Sequence, residues 1–240
     1  MTVNTQTSQS ERFETAFNRI HKALMQTIKN ARTDKFIELV NKGKSHAFIR
    51  YYEPDLCQFA KLRNALVHEK IEEGYYIAEP HEDIVKKIEK IADEFEKPQS
   101  ALSVATKPVY FFQEEDYLSD VLRIIKKHAH TKFPIYNKKG EYSWLLTSTK
   151  IVQYLADNFS DEKLTINAVR VKDLYNNKYK PNILFVSQNS TIFEVEDIFE
   201  EFYIKNKKIE GVLITKNGSP SEQPNGIITS RDMLEVEFSD

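Results

Sequence analysis

Two stretches 82 residues apart share a core: Trp144 to Lys150 (WLLTSTK) and Gly226 to Asp232 (GIITSRD) both run apolar, apolar, Thr, Ser. Their surroundings repeat as well. Val109 to Phe112 reads as a strand, and Tyr117 to Lys127 as a helix with Leu118, Val121, Leu122 and Ile125 turned inward. Phe133 to Tyr136 reads as a second strand, Asn137 to Gly140 as a hairpin turn, Trp144 to Thr147 as a third strand and Ser148 to Ala156 as a second helix. The order strand, helix, strand, strand, helix then recurs. Its second copy runs through Ile183 to Val186, Thr191 to Phe202, Gly211 to Thr215, a longer polar turn from Lys216 to Asn225, Gly226 to Thr229, and Ser230 to Glu235. A repeat of this kind implies two units that bury their faces against each other.

Ahead of the repeat the pattern is helical. Phe13, Phe17, Ile20, Leu24 and Ile28 recur at the spacing of one helix face. Thr33 or Asp34 is expected to cap a short second helix that Gly43 ends. Pro54 suits the first turn of a third, carrying Leu56, Phe59, Leu62 and Leu66. Pro80 opens a fourth, with Glu82 and Asp83 in its first turn and Ile84, Ile88, Ile91 and Phe95 on one stripe. The expectation is an α+β chain: an all-α bundle over residues 10–97, a linker from Gln99 to Lys107, and a pair of β-α-β-β-α units over 98–240, the first about 105–158 and the second about 170–238.

Composition narrows the class. With 40% apolar residues the 240-residue chain can build real cores, and no apolar run approaches the roughly 18 residues of a membrane span. The lone Cys57 excludes an intrachain disulfide and fits a reducing cytoplasm, and the polar MTVNTQTSQS start lacks the regions of a signal peptide. The net charge of −2 gives no general pull toward nucleic acid. Its distribution is uneven, however: Arg12 to Lys70 holds 12 Lys and Arg against 6 Asp and Glu, whereas Ile71 to Pro98 holds 4 against 9. Neither phosphate-loop nor dinucleotide-binding glycine patterns occur. His81-Glu82-Asp83 and His128-Ala129-His130 lack partners at zinc-site spacing, so no metal is expected. Cys57 and the Tyr110-Phe111-Phe112 run read as core residues.

The chemistry suggested by GIITSRD is phosphate and sugar recognition. Backbone N–H groups at a helix start attract phosphate, and a carboxylate accepts from ribose hydroxyls. With the repeat around it, the pair from about Ala105 to Glu237 resembles a tandem of cystathionine-β-synthase (CBS) domains, a Bateman module. The resemblance rests on Gly226-x-x-Thr229-x-x-Asp232 and on the strand and turn Pro134-Ile135-Tyr136-Asn137-Lys138-Lys139-Gly140. It implies an adenine-nucleotide ligand, such as AMP, ATP, cyclic di-AMP or S-adenosylmethionine. Thr229, Arg231 and Asp232 would hold sugar and phosphate, with Ile183, Glu210 and Gly211 near the base. The first unit departs from this pattern: Thr147 is kept, but Trp144 replaces the glycine and Lys150 the aspartate. There a ribose diol loses its acceptor, and Lys150 either meets a phosphate or belongs to an empty, structural site.

Leu62-Arg63-Asn64-Ala65-Leu66-Val67-His68-Glu69 resembles the Arg-x4-His signature of HEPN domains, helical bundles that commonly dimerise and include metal-independent ribonucleases. The resemblance implies a homodimer, with RNA as a possible partner and Arg63, Asn64 and His68 as catalytic candidates, flanked by Lys61 and Lys70 as phosphate guides. In that chemistry the histidine moves a proton while the arginine stabilises developing phosphorane charge. Five positions along one helix separate Arg63 and His68 by about 140°. Convergence therefore requires the helix to end near His68 or a second subunit to supply partners. The structural alternative has Arg63 and Asn64 bonded to backbone carbonyls and His68 packed under Tyr75 or Tyr76.

Overall fold

In a computed structural model, residues 8–28, 32–68, 76, 78–158, 166–175 and 181–234 are described. They form two compact units, one ending at Gln99 and the other starting at Ser100.

The first unit is helical. Helix α1 (Gln9–Thr27) starts where the Ser8 side chain accepts from the Glu11 N–H, and it buries Phe13, Phe17, Ile20 and Leu24 as their spacing predicts. Helix α2 (Phe36–Lys42) begins later than expected: Lys35 precedes it with no side-chain cap, so Thr33 and Asp34 lie outside. The burial of Phe36, Leu39 and Val40 sets this boundary in place of a cap. Helix α3 (Ala47–His68) departs more clearly, because Pro54 lies inside it rather than in its first turn. Proline cannot donate to the carbonyl of Arg50, at a cost of about 3 kcal/mol. The extra turns bury Phe48, Ile49 and Tyr52, which offsets that loss. Helix α4 (Glu82–Glu96) follows His81 with Glu82 and Asp83 in its first turn, as expected. It runs beside α1, where Arg12 forms a two-pronged pair with Glu89 and Arg19 reaches both Asp93 and Glu96.

The second unit holds two three-stranded sheets of one topology. In the first, β1 (Phe112–Gln113) pairs in parallel with β2 (Lys132–Tyr136), which pairs antiparallel with β3 (Tyr142–Thr147). Helix α6 (Leu118–His128) connects β1 to β2, and α7 (Ser148–Asp157) follows β3. In the second, β4 (Asn182–Ser187), α8 (Ile192–Ile204), β5 (Ile209–Thr215) and β6 (Gly226–Ile228) reproduce the arrangement. The registers agree: Ile135 opposes Trp144 as Ile214 opposes Gly226. The first strand is shorter than the expected Val109 to Phe112, since only its last residue and Gln113 join the ladder. Phe111 instead packs its ring edge-on to Tyr136, with centroids 5.4 Å apart.

The two repeats exchange their entry segments. The stretch expected to be a linker contains a short helix, α5 (Ala101–Val104), capped by the Ser100 side chain. Its Ala101 N–H donates to Ser190 O at 2.8 Å, and Ala101 and Ala105 share a core with Val195, Val212, Ile214 and Ile228 of the second repeat. Conversely, Val169, Val171 and Leu174 complete the core of the first repeat beside Leu118, Phe133, Trp144 and Leu146. Each repeat therefore lacks part of its core until the other supplies it, and the boundaries near 105 and 170 cut through this exchange.

Gly226 is where α5 meets the sheet. A Cβ there would lie 2.8 Å from Ala105 Cβ and 3.2 Å from Leu102 Cδ1. Gly226→Val is therefore expected to lower stability by about 1 to 3 kcal/mol through overpacking, measured as a lower urea midpoint.

Candidate functional site

The centre of the candidate site in the second repeat is the Asp232 carboxylate. Strand β6 ends at Ile228, and Thr229 turns the chain so that Asp232 comes back beneath it. Asp232 Oδ2 accepts from the Thr229 N–H at 2.7 Å and from its hydroxyl at 2.7 Å. Oδ1 accepts from the Thr106 hydroxyl at 2.9 Å. Thr106 is 126 residues away in sequence and is held by paired backbone bonds with Ile227 of β6, at 2.9 and 3.2 Å. Thr229 and Asp232 are half-buried, while Arg231 is exposed beside them. The helix expected over Ser230 to Glu235 is, through Leu234, a turn followed by the tight three-residue coil Asp232–Leu234, and Glu235 lies outside the described residues. The positioned carboxylate, rather than a long helix N-terminus, is therefore the built feature of this site.

Beside it, Ile183 pairs in parallel register with Gly211. A Cβ on Gly211 would come within 2.9 Å of the Ile228 carbonyl oxygen, so the close approach of β6 explains the glycine. Glu210 is buried, with its oxygens committed: Oε2 meets Lys132 Nζ at 3.2 Å and Oε1 meets Lys208 Nζ at 2.7 Å. Lys132, which also donates to the Glu210 carbonyl, comes from β2 of the first repeat, so Glu210 ties the two repeats together at the edge of this site. The family resemblance pointed to Thr229, Arg231 and Asp232 but not to Thr106, Lys132 or Lys208. No local motif marks these three, because the exchanged entry segment and the contact between repeats bring them in.

The corresponding place in the first repeat is differently built. Thr147 keeps the capping role, accepting from the Lys150 N–H at 3.3 Å. Where the second repeat has a carboxylate, the first has Lys150, which is buried with its ammonium 5.3 Å from the centroid of the Trp144 ring. Trp144 itself is buried against Tyr175. Burial lowers the Lys150 pKa below 10.5. The folded chain thus releases this proton at a lower pH than the unfolded chain, so stability rises with pH from the lowered value up to 10.5, and the cost is fully present below the lowered value. Lys150→Met should flatten that alkaline rise without lowering stability at pH 7, which thermal unfolding from pH 7 to 10.5 would measure.

Aromatic residues fill the seam between the repeats. The Tyr136 hydroxyl donates to Glu222 O at 3.0 Å, and burial pushes its pKa up to about 12. Tyr142, whose ring meets Phe185 edge-on at 5.2 Å, is raised further by burial and by Tyr136.

In the helical unit, Arg63 and Asn64 lie in α3, and His68 is its last described residue. The Arg63 guanidinium carbon sits 6.0 Å from the Phe17 ring centroid. Its Nε is buried with no hydrogen-bond partner among the described residues. Asn64 and Lys61 are exposed, whereas the His68 side chain, Glu69, Lys70 and Tyr75 lie outside the described residues. Tyr76, one of the two candidate covers for His68, donates its hydroxyl to Glu14 at 2.6 Å. Cys57 is a half-buried free thiol. His128 stacks on Tyr110 and on His130, whose ring is tilted against Tyr110, and no group of three or more potential metal ligands occurs among the described residues. No described helix is long and apolar enough to cross a membrane.

Comparison with solved structures finds several similar folds for the repeat region. A CBS domain-containing protein from Kribbella flavida is 18% identical, over 57% of this chain and 97% of that one, with a TM-score of 0.44. A CBS domain pair in complex with 5′-methylthioadenosine and S-adenosyl-L-methionine is 18% identical over 57% and 94%, with a TM-score of 0.41. The CBS domain of a bacterial CNNM/CorC family Mg2+ transporter in complex with ATP is 15% identical over 57% and 85%, with a TM-score of 0.40. No curated protein matches the chain. Residues 101–157, from α5 through α7, match the family model of the CBS domain, so the first repeat carries a CBS domain.

Proposed function

We propose that the repeat pair is a nucleotide sensor that binds one adenine nucleotide per chain at the second repeat and thereby modulates the helical unit, which acts as a HEPN-like domain in a cytoplasmic homodimer. The observation that carries this reading is the asymmetry between the repeats. Asp232 presents a half-buried carboxylate positioned by Thr229 and Thr106, while the same place in the first repeat is filled by Trp144 and a buried lysine. Only the former suits the hydroxyls of a ribose. In this reading Arg231 meets phosphate, Ile183, Glu210 and Gly211 lie near the base, and Thr147 and Lys150 belong to a site that lacks a ribose acceptor.

For occupancy to modulate the helical unit, the ligand must bind two arrangements of the chain with different affinity, on the usual scale of roughly 1 to 3 kcal/mol. The test is a thermal-shift panel of AMP, ADP, ATP, cyclic di-AMP and S-adenosylmethionine. A true ligand at 100-fold excess over its Kd adds about 2.7 kcal/mol, a clear rise in melting temperature. A flat response to all five overturns the nucleotide reading.

A second reading rests on Arg63 and His68 both lying on α3: metal-independent RNA cleavage by Arg63 and His68, with Asn64 beside them, gated by the nucleotide. Purified protein incubated with RNA in EDTA should cleave it, and His68→Ala and Arg63→Ala should each reduce the rate at least 100-fold, the scale of general acid–base and charge-stabilising groups (roughly). Cleavage unchanged in both variants removes these residues from the chemistry. No cleavage under any ligand leaves a binding and dimerisation role.

A further inference from the structure

We infer that Thr106 competes with the ligand's sugar for Asp232, so that a ribose diol displaces it and loosens the entry segment while a 2′-deoxyribose leaves that segment in place. This rests on the nucleotide reading of the second repeat.

A carboxylate offers about four acceptor positions. Both on Asp232 Oδ2 are taken by the N–H and hydroxyl of Thr229, and one on Oδ1 is taken by Thr106. One position on Oδ1 remains among the described residues. A single sugar hydroxyl can use it with every existing bond intact, but the second hydroxyl of a cis diol requires one of the three donors to leave.

The donors are not equally tied. Thr229 is three residues from Asp232 and its two bonds close the turn that shapes the site. Thr106 contributes one hydroxyl from a segment whose backbone is held to β6 only at Ile227. That segment also carries Ala105, which rests directly on Gly226, and α5, which completes the second repeat's core. In sequence, α5 follows the last helix of the helical unit after only four residues, Lys97 to Ser100. Loss of the Thr106 hydrogen bond therefore weakens the attachment of the stretch that joins sensor to helical unit. The diol is the part of the ligand that the entry segment detects, and 2′-deoxynucleotides bind without that consequence.

The experiment uses the full chain with AMP, ATP, 2′-dAMP and 2′-dATP, reading affinity by titration calorimetry and the 100–107 segment by amide hydrogen exchange. For the ribonucleotide that binds, exchange across 100–107 should accelerate roughly threefold to tenfold, the equivalent of one hydrogen bond, and its 2′-deoxy counterpart should leave it unchanged. Thr106→Val should show the faster exchange without ligand, no further acceleration on binding, and roughly threefold to tenfold tighter ribonucleotide binding. Thr106→Ser, which keeps the hydroxyl, should behave as the wild type does. If a ribonucleotide binds yet the segment slows or does not change, or if the deoxy compound produces the same acceleration, the competition is overturned and the nucleotide site stands. Flat titrations with all four compounds overturn the nucleotide reading and this inference with it.

Discussion

Asp232→Ala is expected to weaken nucleotide binding by roughly 30- to 1000-fold, the equivalent of about 2 to 4 kcal/mol. Hydrogen bonds to a charged group contribute about 1.5 to 3 kcal/mol each, and the ribose hydroxyls have no other acceptor assigned at this site. The substitution also removes the acceptor for the Thr229 N–H and hydroxyl and for Thr106. Part of its effect will therefore appear as lower stability without ligand, and the decisive quantity is Kd by titration rather than melting temperature alone. Lys150→Ala, at the corresponding place in the first repeat, should leave the Kd for the same nucleotide within about threefold, since threefold is under 1 kcal/mol. A Kd within threefold of wild type in Asp232→Ala would contradict the site assignment. Equal losses in both variants would contradict the asymmetry.

Glu210→Ala should be the most destabilising change among the charged residues of the repeat pair. The Glu210 side chain is only 7% exposed, and its two oxygens face Lys132 and Lys208. Removing one partner of a buried ion pair costs about 3 to 5 kcal/mol because the other charge is left without compensation. Two observations reduce that figure. Lys132 is 26% exposed and keeps the Glu210 backbone carbonyl as an acceptor, and Lys208, at 77% exposed, returns to water almost unhindered. The expected loss is about 2 to 3 kcal/mol, measured as a lower urea midpoint. Lys132→Met combined with Glu210→Met, which removes both members of the inter-repeat pair and keeps apolar volume, should recover much of it. A double variant as unstable as Glu210→Ala would show that the loss comes from packing rather than from the stranded ammonium.

Much of this architecture was legible in the residues. The alternation of short apolar runs with turn signals located five of the six strands to within about two residues, and the 82-residue echo of WLLTSTK in GIITSRD predicted two units of one topology. Helix faces were readable for the same reason: burial imposes the 3.6-residue period directly on the sequence. Boundaries were less so. Pro54 marks a helix start by local rules, yet tertiary burial of Phe48, Ile49 and Tyr52 carries α3 back to Ala47. Lys35, which has no capping side chain, precedes α2 because Phe36 is needed in the core.

The sequence by itself determined the two-unit plan, the helical segment before it, and the unequal pair of places at Asp232 and Lys150, because each depends on residues near one another in the chain. Only the tertiary structure decided what surrounds them. It exchanged the entry segments, closed Thr106 onto a carboxylate 126 residues away, and set Lys132 of one repeat against Glu210 of the other. The four-residue α5 is too short to show a period, and the hydroxyl and lysine that complete the candidate site in the second repeat sit in no motif. Their roles come from the need of each half-built core for apolar surface that its own repeat does not supply.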